Sequence, residues 1–341
     1  MKVAHSQGAY EISFLGLSEA FAAVPDGSHI ITDEHVKALY GHLFAGEKCI
    51  SVAAGEQSKS ISTFESCLEA LARAGATRKS SVVGFGGGVI GDLAGFVAAS
   101  YMRGVAFIQI PTTLLAQVDS SVGGKVGIDL KAGKNLAGAF YPPKAVYVCA
   151  EVLQTLDQRQ FNNGMAEVWK YGFIADKDLF DRLTNGASWH ARSTQLQEVV
   201  KLCLQIKARI VEEDEFEEKG IRASLNFGHT VGHAIEHLCG FKGILHGEAI
   251  SVGMVAEALL GERLGITELG TREKVAGSLA SQGLPTKWDQ KWDVPKAVEA
   301  MMRDKKRISD GLAFSLLTHI GECKLITGVS CEAVEQVLGS L

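Results

Sequence analysis

Apolar positions in the first half of the chain follow two alternating patterns. The β-branched runs are HIIT at 29–32, KCISVA at 48–53 and SVVGF at 81–85, and amphipathic stretches at 33–44 and about 62–74 separate them. Such alternation indicates parallel strands joined by right-handed crossovers. Ser62 with Glu65 predicts a capping box for the second amphipathic helix, and Gly75 predicts its end.

The pattern changes in the second half of the chain. Long helical stretches follow YPPK at 141–144, among them GMAEVWKYGFI, QLQEVVKLCLQIKARIVEED and AISVGMVAEALLGERLG, and a strand-like segment at 311–326 suggests a late hairpin. We therefore predict a boundary near YPPK, with an α/β domain over 1–150 and a mostly α-helical domain over 151–341.

Composition narrows the class of protein. The chain has 341 residues, 46% of them hydrophobic, and a formal net charge of -5, which suits a globular protein of two domains without the basic surface that nucleic acid requires. No apolar run approaches the roughly 18 residues of a membrane span, and the N-terminus lacks a signal-peptide pattern. Its 7 cysteines form no CxxC pair. We expect a cytoplasmic protein with reduced thiols, no nucleic-acid partner and no membrane partner.

A glycine-rich segment follows the SVVGF strand and leads into a helix. Its glycines are Gly84, Gly86, Gly87, Gly88 and Gly91. Glycine permits positive φ and close approach of a ligand to backbone N–H groups, and a helix N-terminus favours anions, so this segment is a candidate pyrophosphate cradle. The GxGxxG match alone is weak, because the motif normally opens the first crossover. A glycine-rich packing turn is the alternative.

The next segment, QIPTTLLAQVDSSVGGKVGIDLKAGKNLAGAFYPP, places many polar side chains among glycines. They are Thr112, Thr113, Asp119, Lys125, Lys134 and Asn135. Ammonium groups and neutral hydrogen-bonding groups at this density are expected where a polyhydroxylated anion binds. For Lys131 a solvated loop position is the alternative.

Three histidines, His229, His233 and His237, recur every four residues in LNFGHTVGHAIEHLCG. On a helix this spacing places their side chains on one stripe, opposite the apolar positions. A solvated face with incidental histidines is one interpretation. A metal-binding or catalytic face is the other, and only partners elsewhere in the chain decide between them.

The motifs together resemble the 3-dehydroquinate synthase family, over roughly residues 32–328. The resemblance rests on the order and spacing of GGGVIGDLAGFVAASYMRGVAFIQIPTTLLAQVDSSVGGKVGIDLKAGKNLAGAFYPP, GMAEVWKYGFI, RASLNFGHTVGHAIEH, LHGEA and RDKK. It implies an α/β dinucleotide-binding (Rossmann-like) N-terminal domain, a mostly α-helical C-terminal domain, an active site in the cleft between them, and a homodimer.

The resemblance also implies a metal centre and a substrate site. Glu167, His229 and His246 would bind a divalent metal, zinc or alternatively cobalt, in a shell with open positions. His233 would handle a proton near the substrate's ring oxygen or phosphate, and His237 matches no role. The residues implied to grip the substrate are Lys125, Asn135, Lys170, Lys207, Arg222, Asn226 and one or both of Lys305 and Lys306, with Arg103 reaching the phosphate in the neighbouring subunit.

For the cofactor, the resemblance implies NAD. The matching positions are Asp33 at the adenosine ribose, Glu56 and Lys59, then Gly87, Gly88 and Asp92 at the pyrophosphate, Thr112 and Thr113, Asp119 and Lys134 near the nicotinamide, and Thr155 and Leu156. The implied reaction converts 3-deoxy-D-arabino-heptulosonate 7-phosphate to 3-dehydroquinate and phosphate, with transient oxidation by NAD and no net redox change.

Several positions depart from the commonest family pattern, among them Val126, Cys149, Asp157 and Gln160. These departures concern the cofactor-side loop, since none is an implied metal ligand or an implied substrate-binding lysine. The rival interpretations are a sister sugar phosphate cyclase, a metal-dependent polyol dehydrogenase, and a non-catalytic NAD or sugar-phosphate binding protein. Arg222 with Asn226 favours a carboxylate-bearing substrate, and the lysine-rich 123–135 segment disfavours a neutral polyol.

Overall fold

A computed structural model describes residues 1–44, 48–185, 189–240, 242–288, 293–304 and 311–340. The chain divides into two compact units. Unit 1 comprises Met1–Asp157 and Lys207–Glu212, and unit 2 comprises Gln158–Ile206 and Glu213–Leu341. The strand that follows YPPK pairs within the sheet of unit 1. The domain boundary near residue 150 stays a prediction from the sequence.

Unit 1 is an α/β unit built on a seven-stranded sheet. The strands of the sheet are β1 (Lys2–His5), β2 (Gly8–Phe14), β3 (His29–Asp33), β4 (Lys48–Val52), β5 (Ser81–Gly86), β6 (Ala106–Pro111) and β9 (Ala145–Val148). Unit 1 also contains β7 (Lys125–Leu130) and β8 (Gly133–Phe140), which lie outside this sheet. The sheet order is β1-β2-β9-β6-β5-β3-β4, parallel except for the β1–β2 pair, and β7 and β8 form a separate antiparallel hairpin.

Helices cover both faces of this sheet. They are α1 (Leu17–Ala22), α2 (Glu34–Tyr40), α3 (Ile61–Arg73) and α4 (Gly88–Ser100). Side chains alternate along each strand, so Ile31 and Val82 pack in the core with α3 and α4, whereas Ile30 and Val83 pack in the core with α1 and α2. A strand that is buried on both faces has a mostly apolar sequence, and the sequence therefore predicts β3 and β5 correctly.

The start of α3 corrects one prediction. Ser60 is its N-cap, with Oγ accepting a hydrogen bond from the Thr63 N–H at 3.2 Å, so the capping box predicted at Ser62 is wrong. The sequence offers two serines two residues apart, and only the path of the preceding chain selects between them. The predicted end is confirmed, since Gly75 follows the helix with φ +71.

Unit 2 is mostly helical. Its elements are α5 (Gln158–Ala175), α6 (Lys177–Asn185), part of α7 (Leu196–Glu213), α8 (His229–Leu238), α9 (His246–Arg263), α10 (Thr271–Ser281), α11 (Val294–Asp304), α12 (Cys331–Leu338) and the antiparallel hairpin of β10 (Leu312–His319) and β11 (Glu322–Val329). The hairpin confirms the prediction for residues 311–326. Helix α9 is buried on nearly every side and shares a core with α8, α11, α12 and β10. Among the described residues, no helix has the length and apolar character needed to cross a bilayer.

One buried residue in unit 1 makes stability depend on pH. His29 in β3 is 0% exposed, and neither ring nitrogen has a hydrogen-bond partner among the described residues. Burial, assisted by the charge of Lys48, lowers the pKa of His29 below 6.5. Below pH 6.5 the unfolded chain therefore binds a proton that the folded chain rejects, and stability falls as the pH decreases.

We expect the substitution His29→Leu to stabilise the protein by about 1 kcal/mol at neutral pH, because it removes an unsatisfied buried polar group. The gain should grow below pH 6.5, where the titration of His29 is also lost. Urea unfolding across this pH range measures both effects, with the exposed His42→Leu as the control. An unchanged pH slope in His29→Leu would show that His29 does not titrate differently in the two states.

Candidate active site

Three side chains from three helices of unit 2 converge on one point. Glu167 lies within α5, and His229 and His246 are the first residues of α8 and α9. Glu167 Oε1 lies 3.4 Å from His229 Nε2 and 3.3 Å from His246 Nε2, and the ligand atoms of all three lie within 4.8 Å of one another. A tetrahedral cation with bonds of about 2.05 Å requires ligand separations of about 3.3 Å. The three atoms therefore fit a divalent metal.

Both imidazoles are oriented by contacts on their other nitrogen. His229 Nδ1 lies 3.2 Å from the Phe227 carbonyl oxygen, which can only accept, so Nδ1 donates and Nε2 keeps its lone pair. His246 Nδ1 lies 3.5 Å from Glu236 Oε2. Acceptors of this kind fix the ring orientation of metal-binding histidines and raise their basicity.

Charges around the cluster set the protonation of its three side chains. Glu167 is 1% exposed, and its Oε2 lies 2.5 Å from Lys170 Nζ. Burial opposes ionisation, but Lys170 and the two histidines hold the pKa of Glu167 well below its usual range. Burial and Lys170 lower the pKa of His229 to about 4, which leaves it neutral and able to bind a metal. Although burial disfavours its charged form, Glu167 and Glu236 raise the pKa of His246 to about 10.

The predicted histidine stripe divides at this cluster. The His233 ring lies 5.4 Å from the His229 ring and 6.1 Å from the His246 ring, centroid to centroid. His233 is half-buried, whereas His237 is exposed. His229 and His233 thus both lie beside the His246 ring, and His237 lies outside this group.

The three side chains meet because their helices touch backbone to backbone. A Cβ atom built on Gly247 of α9 would lie 2.1 Å from the Asn163 carbonyl oxygen of α5. A Cβ on Gly253 would lie 2.0 Å from the Gly228 carbonyl oxygen at the start of α8. Contacts this close exclude any side chain at either glycine.

The predicted cofactor residues lie in unit 1, at the carboxyl ends of its parallel strands. Asp33 ends β3, Gly87 follows β5 as the N-cap of α4, and Thr112 follows β6. This edge of an open parallel sheet is where dinucleotides bind. The expectation of positive φ in the glycine segment is wrong, because none of its five glycines has a positive φ. The missing side chain instead leaves room for neighbouring groups, since a Cβ on Gly86 would lie 2.6 Å from Ile90.

Lys59 joins several predicted residues in one network. Its Nζ lies 2.8 Å from Asp92 Oδ2, 2.5 Å from Asn135 Oδ1 and 3.6 Å from Glu56 Oε1. Lys134 Nζ lies 3.9 Å from the same oxygen of Glu56. Burial opposes the charge, but Asp92 and Glu56 outweigh it and raise the pKa of Lys59. Asn135, expected on the substrate side, thus lies beside residues expected on the cofactor side.

Other predicted residues of unit 1 bind nearby protein groups. Asp33 Oδ1 caps α2 by accepting from the Val36 N–H at 2.8 Å, and Lys207 Nζ lies 2.9 Å from Asp119 Oδ1. The further contacts are Thr113 Oγ1 with the Ala116 N–H at 3.2 Å, Thr155 Oγ1 with the Tyr40 hydroxyl at 2.9 Å, and the Leu156 N–H with the Leu153 carbonyl at 3.1 Å.

Lys125 and Arg103 are exposed, and Arg103 has φ 69. Lys305 and Lys306 lie outside the described residues.

In unit 2, a loop holds Arg222. The carboxyl group of Asp214 accepts from the N–H groups of Glu218 at 2.8 Å and Arg222 at 3.1 Å. These backbone hydrogen bonds outweigh burial and lower the pKa of Asp214. The Arg222 guanidinium donates to the Glu215 carbonyl at 2.8 Å. Arg222 is buried and Asn226 is exposed, so the two differ in solvent access.

Comparisons with known proteins identify the family. The family models described as 3-dehydroquinate synthase N-terminal and 3-dehydroquinate synthase C-terminal match residues 49–163 and 164–307. The chain belongs to the 3-dehydroquinate synthase family. A 3-dehydroquinate synthase of Caldanaerobacter subterraneus subsp. tengcongensis is 46% identical over 321 residues, covering 91% of this chain and 89% of the relative. That of Enterococcus faecalis (strain ATCC 47077 / OG1RF) is 41% identical over 311 residues, covering 89% and 86%.

Solved structures confirm the fold expected of the 3-dehydroquinate synthase family. A 2-deoxy-scyllo-inosose synthase complexed with carbaglucose-6-phosphate, NAD+ and Co2+ has a TM-score of 0.85 at 27% identity, covering 100% of this chain and 99% of the other. A 2-epi-5-epi-valiolone synthase from Streptomyces hygroscopicus subsp. jinggangensis with NAD+ and Zn2+ has a TM-score of 0.88 at 23% identity, covering 99% and 98%. The resemblance drawn from the sequence motifs is therefore confirmed at the level of family and fold.

Sequence reasoning missed the residues that support the cluster. They are Asn163, whose Oδ1 accepts from the Gly247 N–H at 2.5 Å, together with Glu236 and Glu257. Glu236 carried a signal, because it lies seven residues after His229 and therefore on the same face of α8. Asn163 and Glu257 make contacts with residues distant in sequence, which no local pattern reports.

We expect Gly253→Ala to destabilise the protein by about 1–3 kcal/mol and to weaken metal binding, because the new methyl group must separate α8 from α9. The control is Gly277→Ala in α10, where an added Cβ has nothing within 4 Å. That substitution should raise stability by up to about 1 kcal/mol. Thermal unfolding and zinc titration measure both effects, and a Gly253→Ala protein as stable as wild type would show that the two helices can separate without cost.

Proposed function

We propose that this chain converts 3-deoxy-D-arabino-heptulosonate 7-phosphate to 3-dehydroquinate and phosphate, with NAD and a divalent metal. The observation that supports this most is the convergence of Glu167, His229 and His246, in a chain that both 3-dehydroquinate synthase models match. Enzymes of this kind are phosphate-eliminating lyases of the shikimate pathway. A cytoplasmic homodimer remains the expectation from the sequence.

In the proposal, Glu167, His229 and His246 hold zinc, with cobalt as the alternative. One carboxylate and two imidazoles suit a catalytic site with open positions, and His246 would lose its proton on binding the metal. Bound there, the metal would supply a Lewis acid for the substrate hydroxyl, and NAD would supply a reversible hydride acceptor. Lys170 partly neutralises Glu167, which keeps the cluster's negative charge low.

The protein side chains bind, orient and move protons. His233, half-buried beside the two proposed histidine ligands, is suited to handle a proton near the substrate's ring oxygen or phosphate. The lysines and Arg222 would bind the phosphate and carboxylate, and Asn135 and Asn226 the hydroxyl groups. The substrate residues of the proposal are Lys125, Asn135, Lys170, Lys207, Arg222, Asn226, Lys305, Lys306 and, from the neighbouring subunit, Arg103.

NAD would bind at the carboxyl edge of the unit 1 sheet. Its pyrophosphate would lie at the N-terminus of α4, which begins at Gly88 and whose end favours an anion. The cofactor residues of the proposal are Asp33, Glu56, Lys59, Gly87, Gly88, Asp92, Thr112, Thr113, Asp119, Lys134, Thr155 and Leu156. The Lys59 network connects this group to Asn135 of the substrate group.

A sister sugar phosphate cyclase is the second candidate, because the 27% identical solved structure is a 2-deoxy-scyllo-inosose synthase. Arg222 and Asn226 favour the heptulosonate, since a guanidinium fork suits a carboxylate. The polyol dehydrogenase alternative has weaker support. A probable glycerol dehydrogenase from Sinorhizobium meliloti shares the fold at a TM-score of 0.63, with 17% identity.

The purified protein with NAD and zinc should release phosphate from 3-deoxy-D-arabino-heptulosonate 7-phosphate and form 3-dehydroquinate without net NADH. Mass spectrometry of the product and absorbance of NADH measure both. Cyclisation of sedoheptulose 7-phosphate or glucose 6-phosphate instead, with no turnover of the heptulosonate, would assign the chain to a sister cyclase.

His229→Ala should abolish turnover and metal content together, because it removes one of three ligands. His237→Ala should leave both near wild type, since His237 is exposed outside the cluster. Metal analysis of each purified variant provides the measurement. Metal loss in His237→Ala would contradict the proposed ligand set.

A further inference from the structure

Glu257 is a buried acidic residue of α9 to which the proposed reaction assigns no part. It is 0% exposed. Its Oε2 accepts from the Gly228 N–H at 2.7 Å, and its Oε1 accepts from the Val231 N–H at 3.2 Å. Both donors belong to the first turn of α8, where backbone N–H groups lack partners within the helix and the field favours an anion. Glu257 therefore caps a neighbouring helix whose first residue is the metal ligand His229.

The hydrogen bond to Gly228 connects Glu257 to the ligand itself. The Gly228 N–H and the Phe227 C=O belong to the same peptide group. That carbonyl accepts from His229 Nδ1 at 3.2 Å, and His229 Nε2 faces Glu167. A continuous chain of hydrogen bonds thus runs from the Glu257 carboxylate through one peptide group to the imidazole.

Packing fixes the orientation of this peptide group. Gly228 has φ 82, and a Cβ there would lie 2.4 Å from Met254 Cγ and 2.8 Å from the Ile250 carbonyl oxygen. Both contacts belong to α9, the helix that carries Glu257. The carboxylate and the peptide group are consequently held by the same helix pair.

We infer that Glu257 is a positioning residue that orients His229 and strengthens it as a metal ligand through the Phe227–Gly228 peptide group. A negative acceptor at the N–H polarises the peptide, so its carbonyl accepts more strongly from Nδ1 and Nε2 becomes the better electron donor. This inference rests on the proposed metal site.

Glu257→Gln tests it, because the amide keeps the size of the side chain but removes the charge and one of the two acceptors. We expect the zinc dissociation constant to rise about 10- to 100-fold, the range seen when a group supporting a metal ligand is lost. The visible absorption of the Co2+-loaded protein should also shift. Both are measured by chelator competition and spectroscopy at a temperature where circular dichroism shows each protein folded.

Asp214→Asn is the matched control for metal binding. Asp214 is also buried in unit 2 and accepts from backbone N–H groups, but these belong to Glu218, Lys219 and Arg222 of its own loop. It should lose stability and keep wild-type zinc affinity. If Glu257→Gln does not fold, Glu257→Asp replaces it, and its shorter carboxylate should weaken zinc binding in the same direction.

A folded Glu257 variant with lower thermal stability but wild-type zinc affinity and an unchanged Co2+ spectrum would overturn the inference and leave the proposed function intact. Wild-type protein that binds neither metal would overturn the proposed metal site together with the inference. The two failures are distinguishable because the first appears only in the variant.

Discussion

The contact of α9 with the backbones of α5 and α8 is the constraint on which the site in unit 2 depends. Gly247 and Gly253 leave no room for a side chain against Asn163 and Gly228. Because main chains touch at both points, small side-chain adjustments cannot alter the spacing of the three helices. The separations of 3.3 and 3.4 Å between Glu167 and the two imidazoles follow from this packing.

Such close packing also buries the carboxylates of Glu167 and Glu257, and each of the two has a partner. Glu167 is paired with Lys170, and Glu257 accepts from the first turn of α8. A buried carboxylate without such partners would cost several kcal/mol. The same contacts that offset burial orient the side chains at the cluster, so stability and ligand geometry depend on one set of interactions.

In unit 1, strand pairing and not helix packing brings the candidate cofactor residues together. The parallel register of β3, β5 and β6 places Asp33, Gly87 and Thr112 at one edge of the sheet, although they are far apart in sequence. Lys59 then links this edge to the β8 residue Asn135. Residues assigned separately to cofactor and substrate share a hydrogen-bond network, so substitution of either partner is expected to affect the other.

The sequence alone determined the α/β and helical halves, the late hairpin, the family and the candidate ligand set. These follow from periodicities and motifs that are local, since strand and helix patterns reflect burial of adjacent residues. Tertiary structure decided the Ser60 cap, the extents of the two units and the contacts of Glu236 and Glu257. Each depends on which distant backbone or charge lies against the residue, and a hydrogen bond such as that from Gly228 to Glu257 leaves no periodic trace in the chain.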